Sequence, residues 1–215
     1  MDPVSCVDEL INVSIQSISA IITSIAAFAT VIIAFFGLQT WKKQIRGKSE
    51  YELAKRLLVH IYQLREAILF VRNPWQVESE IEKAMKENKI EGDRINDPYI
   101  NLKTENAIYS MRWKDISEAF TNLETDKLEA EAVWGPKIEG YMKPIIENII
   151  KLRAAVGDHL TYLRYNPEQQ PELEQPHFKI LYNFSSESRK DAFSEELSKA
   201  IEDLEAFLKP SLRLN

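Results

Sequence analysis

The hydrophobic pattern changes character once along the chain. From Ile11 to Trp41 there is no Asp, Glu, Lys, Arg or His, and most positions are Ile, Ala, Phe, Val, Ser or Thr. After Lys42 the apolar residues recur at helical spacing between charged ones. About 20 apolar residues are enough for a helix to cross a bilayer core of about 30 Å, so the first stretch predicts one transmembrane helix with length to spare for tilt. A cleavable signal peptide fits poorly, because neither a basic n-region nor a short apolar core is present. A buried core helix of this length without a single charge is unusual.

Beyond that stretch the pattern predicts four main helices. Ser49 with Glu52 has the spacing of a capping box, and Leu53, Leu57, Leu58, Ile61, Leu64, Ile68 and Val71 repeat from there to Arg72. Asn73-Pro74 ends that helix, since a residue before proline avoids helical geometry. Between Gln44 and Ser49 only Gly47 interrupts the helical pattern, so the first helix can run almost straight into the second. Val77 to Glu87 predicts a short exposed helix, and Asn88 to Pro98 a loop. Asn101 to Trp134 is the longest soluble helix, with Ile108, Met111, Ile116, Phe120, Leu123, Leu128 and Ala132 on its apolar face and Gly135-Pro136 as its stop. Lys137 to Tyr165 follows, restarting or kinking at Pro144. Asn166 to Pro176 is a loop, and His177 to Phe184 alternates like a short strand that lacks a partner. Ser185 or Ser186 then caps a last helix carrying Phe193, Leu197, Ile201, Leu204 and Leu208, ending at Pro210.

The fold class expected is therefore all-α, a single N-terminal transmembrane helix followed by a cytosolic antiparallel helical bundle. Residues 1–10 form a short outer segment, 11–41 the transmembrane helix, 42–48 a basic juxtamembrane linker and 49–215 the cytosolic domain.

Charge sets the orientation. Asp2, Asp8 and Glu9 precede the apolar run, whereas Trp41, Lys42, Lys43, Arg46 and Lys48 follow it directly. Basic residues mark the cytoplasmic side and Trp41 suits an interfacial anchor, which places the N-terminus outside. Four of the 27 Lys and Arg and three of the 33 Asp and Glu precede Ser49, leaving 23 basic against 30 acidic residues in the remainder. That balance argues against a broad nucleic-acid surface. The single cysteine, Cys6, excludes a disulfide framework within one chain and reads as a small apolar residue, although it can cross-link two copies.

Within the apolar run, Gln16, Ala20, Thr23, Ala27, Thr30, Ala34 and Gly37 recur at alternating steps of four and three. Every member of this seam is small or polar, while Ile15, Ile18, Ile22, Ile25, Phe28, Ile32 and Phe35 suit lipid. Membrane helices associate through close packing of small residues and hydrogen bonds, so the seam predicts a homo-oligomer. In a closed ring Gln16, Thr23 and Thr30 would face a central opening. The alternative is a monomeric anchor with incidental Ala and Ser content.

The signatures of common enzymes are absent from the chain: no glycine-rich phosphate loop, no paired CxxC, no HExxH and no GxSxG. His60, His159 and His177 have no metal-ligand spacing, so neither a metal nor a cofactor is expected. No catalytic set is assigned. The nearest thing to one is Arg153 and His159, with Ala-Ala-Val-Gly-Asp between them, which resembles the Arg-x4-6-His motif of HEPN domains. That resemblance implies a helical bundle in which histidine moves a proton and arginine steadies phosphate charge during RNA cleavage. Ala154 departs from the polar residue the family favours, and six residues of helix put the pair on different faces unless Gly157 loosens the turn. The alternative is a packed or capping His159 and an Arg153 paired with an acidic neighbour. Arg56 and His60 read as a solvated pair, Trp75, Trp113 and Trp134 as core or an aromatic pocket, and Glu129 to Glu131 as a solvated face. Tyr51, Glu52 and Arg56 suit contacts between subunits of an oligomer.

The stretch from Trp41 to Ala54 (WKKQIRGKSEYELA), with Leu57-Leu58, Tyr62, Leu64-Arg65, Val71-Arg-Asn-Pro74 and Ala132-Val-Trp-Gly135, resembles a family of uncharacterised bacterial single-pass membrane proteins. The resemblance implies the bacterial inner membrane and no assigned activity. The plan also resembles the membrane-anchored HEPN-like accessory proteins of type VI CRISPR systems, which assemble into a pore. The function expected is a homo-oligomeric inner-membrane effector, a pore or membrane-perturbing protein controlled by its cytosolic domain, in phage defence. Its partners are then lipid and other copies of itself. A passive tether for a cytosolic protein or RNA–protein partner, and a membrane-bound HEPN-type RNase, are the alternatives.

Overall fold

The structure, a computed structural model, describes residues 3–166, 175–182 and 191–212, with side chains described from Ile22 onward. Among the described residues every regular element is helical: α1 (Pro3–Val71), α2 (Glu78–Glu87), α3 (Pro98–Trp134), α4 (Lys137–Tyr165), α5 (Pro176–Leu181) and α6 (Ala192–Leu208). The chain divides into two compact units, Met1–Ser49 and Glu50–Asn215. Every described side chain of the first unit, from Ile22 to Ser49, is exposed. The second unit holds the core, where Leu57, Ile61 and Ile68 of α1 pack with Leu123 of α3, Met142 and Leu152 of α4, and Leu204 and Leu208 of α6.

Several local expectations are corrected. Ser49 and Glu52 start no helix, because both lie inside α1. A capping box acts only where the preceding residues leave helical geometry, and Gln44 to Lys48 are good helix formers apart from Gly47, which costs about 1 kcal/mol. The 42–48 segment is accordingly helical. Helix α3 starts earlier than Asn101, since Asp97 caps it by accepting from the amides of Tyr99 at 2.9 Å and Ile100 at 3.3 Å, with Pro98 in the first turn. Helix α4 is continuous across Pro144 and does not restart there; Asn148 Nδ2 donates to the Pro144 carbonyl at 2.9 Å.

The predicted strand from His177 is instead α5. Phe178 and Leu181, three residues apart, are its buried pair, and a lone strand would have left its backbone groups unpaired. Helix α6 is capped by Asp191, which accepts from the Ser194 amide at 2.9 Å. Ser185, Ser186 and most of the 166–176 connection lie outside the described residues. The tryptophans form no common pocket: Trp75 is 79% exposed, while Trp113 and Trp134 lean on the core and Trp134 meets Phe207 edge-on.

The buried face of α3 also differs from its apolar count. Leu128 is 70% exposed and Ala132 is exposed, whereas Glu105, Tyr109, Arg112, Ile116, Ala119, Leu123, Asp126 and Ala130 are buried. These positions alternate in steps of four and three, one continuous helical seam. Three of its members are charged, and a count of apolar residues alone skips them.

Candidate functional site

Each charged member of the α3 seam meets partners from another part of the second unit. Arg112, 1% exposed, donates through Nε and Nη2 to the Glu80 carboxylate at 2.6 and 2.8 Å, and to the carbonyls of Asn73 and Trp75 at 2.7 and 3.0 Å. This clamps α2 and the turn after α1 onto α3. Glu105 accepts from Gln76 and from Arg94, and burial holds its carboxyl above the usual range against those hydrogen bonds. A second arginine, Arg72, donates to the Ile180 carbonyl at 2.5 Å and Ser194 Oγ at 2.7 Å, and pairs with Asp191, so it joins the end of α1 to α5 and α6. These are fastenings.

Asp126 is different because one of its partners, His60, lines a groove. Its buried carboxylate accepts from Arg56 Nε at 2.6 Å through Oδ1 and from His60 Nδ1 at 2.6 Å through Oδ2, and Arg56 also reaches Glu129. An ionised carboxylate only accepts, so His60 Nδ1 is the donor of this bond. Arg56 and His60, one helical turn apart, are therefore organised by a residue from another helix and are no simple solvated pair. Glu129 belongs to the same network.

His60 lines one end of a groove of about 780 Å³ between α1 and α3. Ala67 and Ala119, both buried, lie among its lining, with Gln63 and Asn122 as neutral polar groups. Glu66, Asp115 and Glu118 supply three carboxylates, and neither Lys nor Arg lines it. No Ser, Thr or Cys lines it, and its one hydroxyl is that of Tyr62, which donates to Glu205 at 2.9 Å. Of the three carboxylates, Glu66 is ion-paired with Arg65 at 2.9 Å. Among the described residues no cluster of three or more His, Cys, Asp or Glu is placed to hold a metal ion.

The structure does not bring Arg153 and His159 together. Arg153 is exposed, whereas His159 is 3% exposed and sits among the rings of Tyr109, Phe178, His177 and Tyr182 at centroid distances of 5.7, 5.4, 6.3 and 6.0 Å. Burial, with the neighbouring His177 second, lowers its pKa to about 4, so the imidazole is neutral near neutral pH. Packing, not proton transfer to a phosphate, is what this geometry offers.

In the first unit, Thr23, Ala27, Thr30, Ala34 and Gly37 are exposed, and their spacing places them along one side of α1. Thr30 Oγ1 donates to the Ala26 carbonyl at 2.8 Å, so the hydroxyl is satisfied within its own helix. Gln16, Ala20 and Cys6 lie outside the described side chains. Trp41, Lys42, Lys43, Arg46 and Lys48 are exposed; Tyr51 is half-buried, and Glu52 and Arg56 are exposed.

Asp126 had a legible signal, its place in the 116, 119, 123, 126, 130 series. Its pairing with His60 had none, because the two lie 66 residues apart. Compared with protein-family models, with curated proteins and with solved structures, the chain matches none.

Proposed function

We propose that this chain is a single-pass membrane protein whose helical C-terminal unit lies at the cytoplasmic face, and that it acts as a homo-oligomer that alters the membrane it spans. One observation carries the reading. The apolar part of α1 is exposed along its described length, with Phe28 at 76%, Ile33 at 71%, Val31 at 68% and Ile25 at 65%. Each such side chain gains about 1.5–3 kcal/mol when it leaves water. A bilayer supplies that transfer over the whole circumference of the helix, which no single neighbouring face would do.

The basic cluster Lys42, Lys43, Arg46 and Lys48 supports a cytoplasmic C-terminus. The small-residue side of the helix supports self-association. Residues 50–215 read as an antiparallel bundle, because α3 and α4 pack on each other across a two-residue connection, Gly135-Pro136. The helical run of α1 through Gly47 and Ser49 supports control of the membrane by this unit.

Cys6, the single cysteine, makes the topology directly measurable. A membrane-impermeant maleimide applied to intact cells is expected to label it without permeabilisation. Labelling only after permeabilisation overturns the orientation, and recovery of the protein in the soluble fraction overturns the membrane reading. Particle mass in mild detergent, corrected for bound detergent, tests assembly; a monomer removes the oligomeric effector.

A further inference from the structure

We propose that the lipid-facing side of α1 ends in a binding surface for anionic phospholipid headgroups, centred on Lys42 and Lys43. The proposal rests on the membrane reading above and adds a lipid class to it. Helix α1 is unbroken from Pro3 to Val71, so the side that each residue occupies carries straight through the segment after the apolar run. Phe28, Ile32, Phe35, Gln39, Lys42 and Arg46 alternate in steps of four and three and share one side of the helix. Lys43 stands beside that stripe, seven residues beyond Phe36. The small-residue series from Thr23 to Gly37 runs on instead to Trp41, Gln44 and Lys48. Lys42 and Lys43 therefore lie off the side proposed for self-association, and both are exposed.

Depth and sign select the ligand. Lys42 lies seven residues past Phe35, about 10 Å along the axis at a rise of 1.5 Å per residue, and directly after Trp41. A tryptophan bordering an apolar span sits at headgroup level. The lysine stems can then lie along the last apolar turn while their ammonium groups reach the phosphates. No Asp or Glu occurs between Leu10 and Ser49, whereas Lys42, Lys43, Arg46 and Lys48 fall within seven residues. Zwitterionic headgroups carry no net charge to answer this excess, and anionic ones attract juxtamembrane cations. A second copy of the helix is a poor occupant of this side, since like charges would face each other. An acidic protein segment has the right sign, but it would have to enter a layer where phosphates already surround the helix.

The test uses the full-length protein reconstituted in phosphatidylcholine vesicles. A trace of spin-labelled phosphatidylglycerol or spin-labelled phosphatidylcholine reports, by electron paramagnetic resonance, how much of each lipid the protein holds motionally restricted. The parent is expected to favour phosphatidylglycerol over phosphatidylcholine by about twofold or more. Molar salt should reduce that preference, since it shortens the screening length to about 3 Å. Lys42→Glu with Lys43→Glu is expected to bring the ratio to about one while leaving the restricted phosphatidylcholine unchanged. A control reversal of the exposed residues Lys83 and Lys86, matched in charge, should keep the parent's ratio. A parent ratio of about one, a preference that survives the Lys42 and Lys43 reversal, or equal loss in the control overturns the proposal. Absence of any restricted lipid with either probe overturns the membrane reading and this proposal with it, an outcome distinct from loss of the preference alone. All four lysines are exposed, and circular dichroism of each variant verifies the fold.

Discussion

His60 Nδ1 donates to Asp126 Oδ2 across 2.6 Å, and the same carboxylate takes Arg56 Nε at 2.6 Å. One buried acid on α3 thus orients two residues that stand a turn apart on α1. Replacing it, Asp126→Ala, removes both bonds and is expected to cost about 1–3 kcal/mol of unfolding free energy in urea titrations followed by circular dichroism. His60→Gln, which keeps a donor in reach, should cost less than half as much. A variant Asp126→Ala as stable as the parent would mean that the pairing does not hold the helices.

Arg112 and Glu80 are a buried pair, and their energetics should be those of one. Arg112→Met leaves the Glu80 carboxylate and the carbonyls of Asn73 and Trp75 without their donor, at about 3–5 kcal/mol. Adding Glu80→Met removes the stranded charge and should restore a substantial part of that loss. A double-mutant cycle decides it, and additivity of the two single losses would refute the pairing.

Acid should loosen the α4–α5 contact through His159. Its folded pKa is lowered to about 4 against 6.5 for the ordinary side chain, so in this window the unfolded state binds the proton more readily. The stabilisation is therefore complete above about 6.5 and is lost as the pH falls toward about 4, up to about 3 kcal/mol by linkage. His177, also lowered by burial, acts in the same direction, whereas the raised Glu105 opposes both. Comparing Tm between the parent and His159→Phe from pH about 7 to about 5 isolates the histidine. The variant should lose less stability on acidification, and parallel pH curves would count against the assignment.

Gly135, with φ +76° and ψ −172°, closes α3 in a region that glycine alone occupies comfortably. Gly135→Ala should therefore destabilise the unit by about 1–3 kcal/mol although a Cβ there would touch nothing within 4 Å. A cost below about 0.5 kcal/mol would show that the turn relaxes freely.

The small-residue side of α1 predicts a separable phenotype. Thr23→Leu with Thr30→Leu keeps the segment apolar, so retention in membranes should not change, while the detergent particle becomes smaller. An unchanged particle mass would place the oligomer contact elsewhere.

Much of the fold was legible one element at a time. Asn73-Pro74 and Gly135-Pro136 mark the ends of α1 and α3, and the spacing from Phe193 to Leu208 outlines α6. What misled were local signals with more than one use. Ser49 and Glu52 have capping chemistry but stand within a continuing helix, and the alternation at His177 hid the Phe178 and Leu181 pair of a short helix. Arg153 and His159 fit a spacing, yet one faces solvent and the other an aromatic cage.

By itself the sequence determined the helical class, the charge-free apolar stretch and the basic flank after it, because periodicity and hydropathy are properties of neighbours along the chain. Only the tertiary structure decided that Asp126 gathers Arg56 and His60, that Arg112 clamps Glu80, and that Ala67 and Ala119 line one groove. Those relationships join residues dozens of positions apart. Burial of a charged side chain depends on which partner arrives from another helix, and that choice is made by packing.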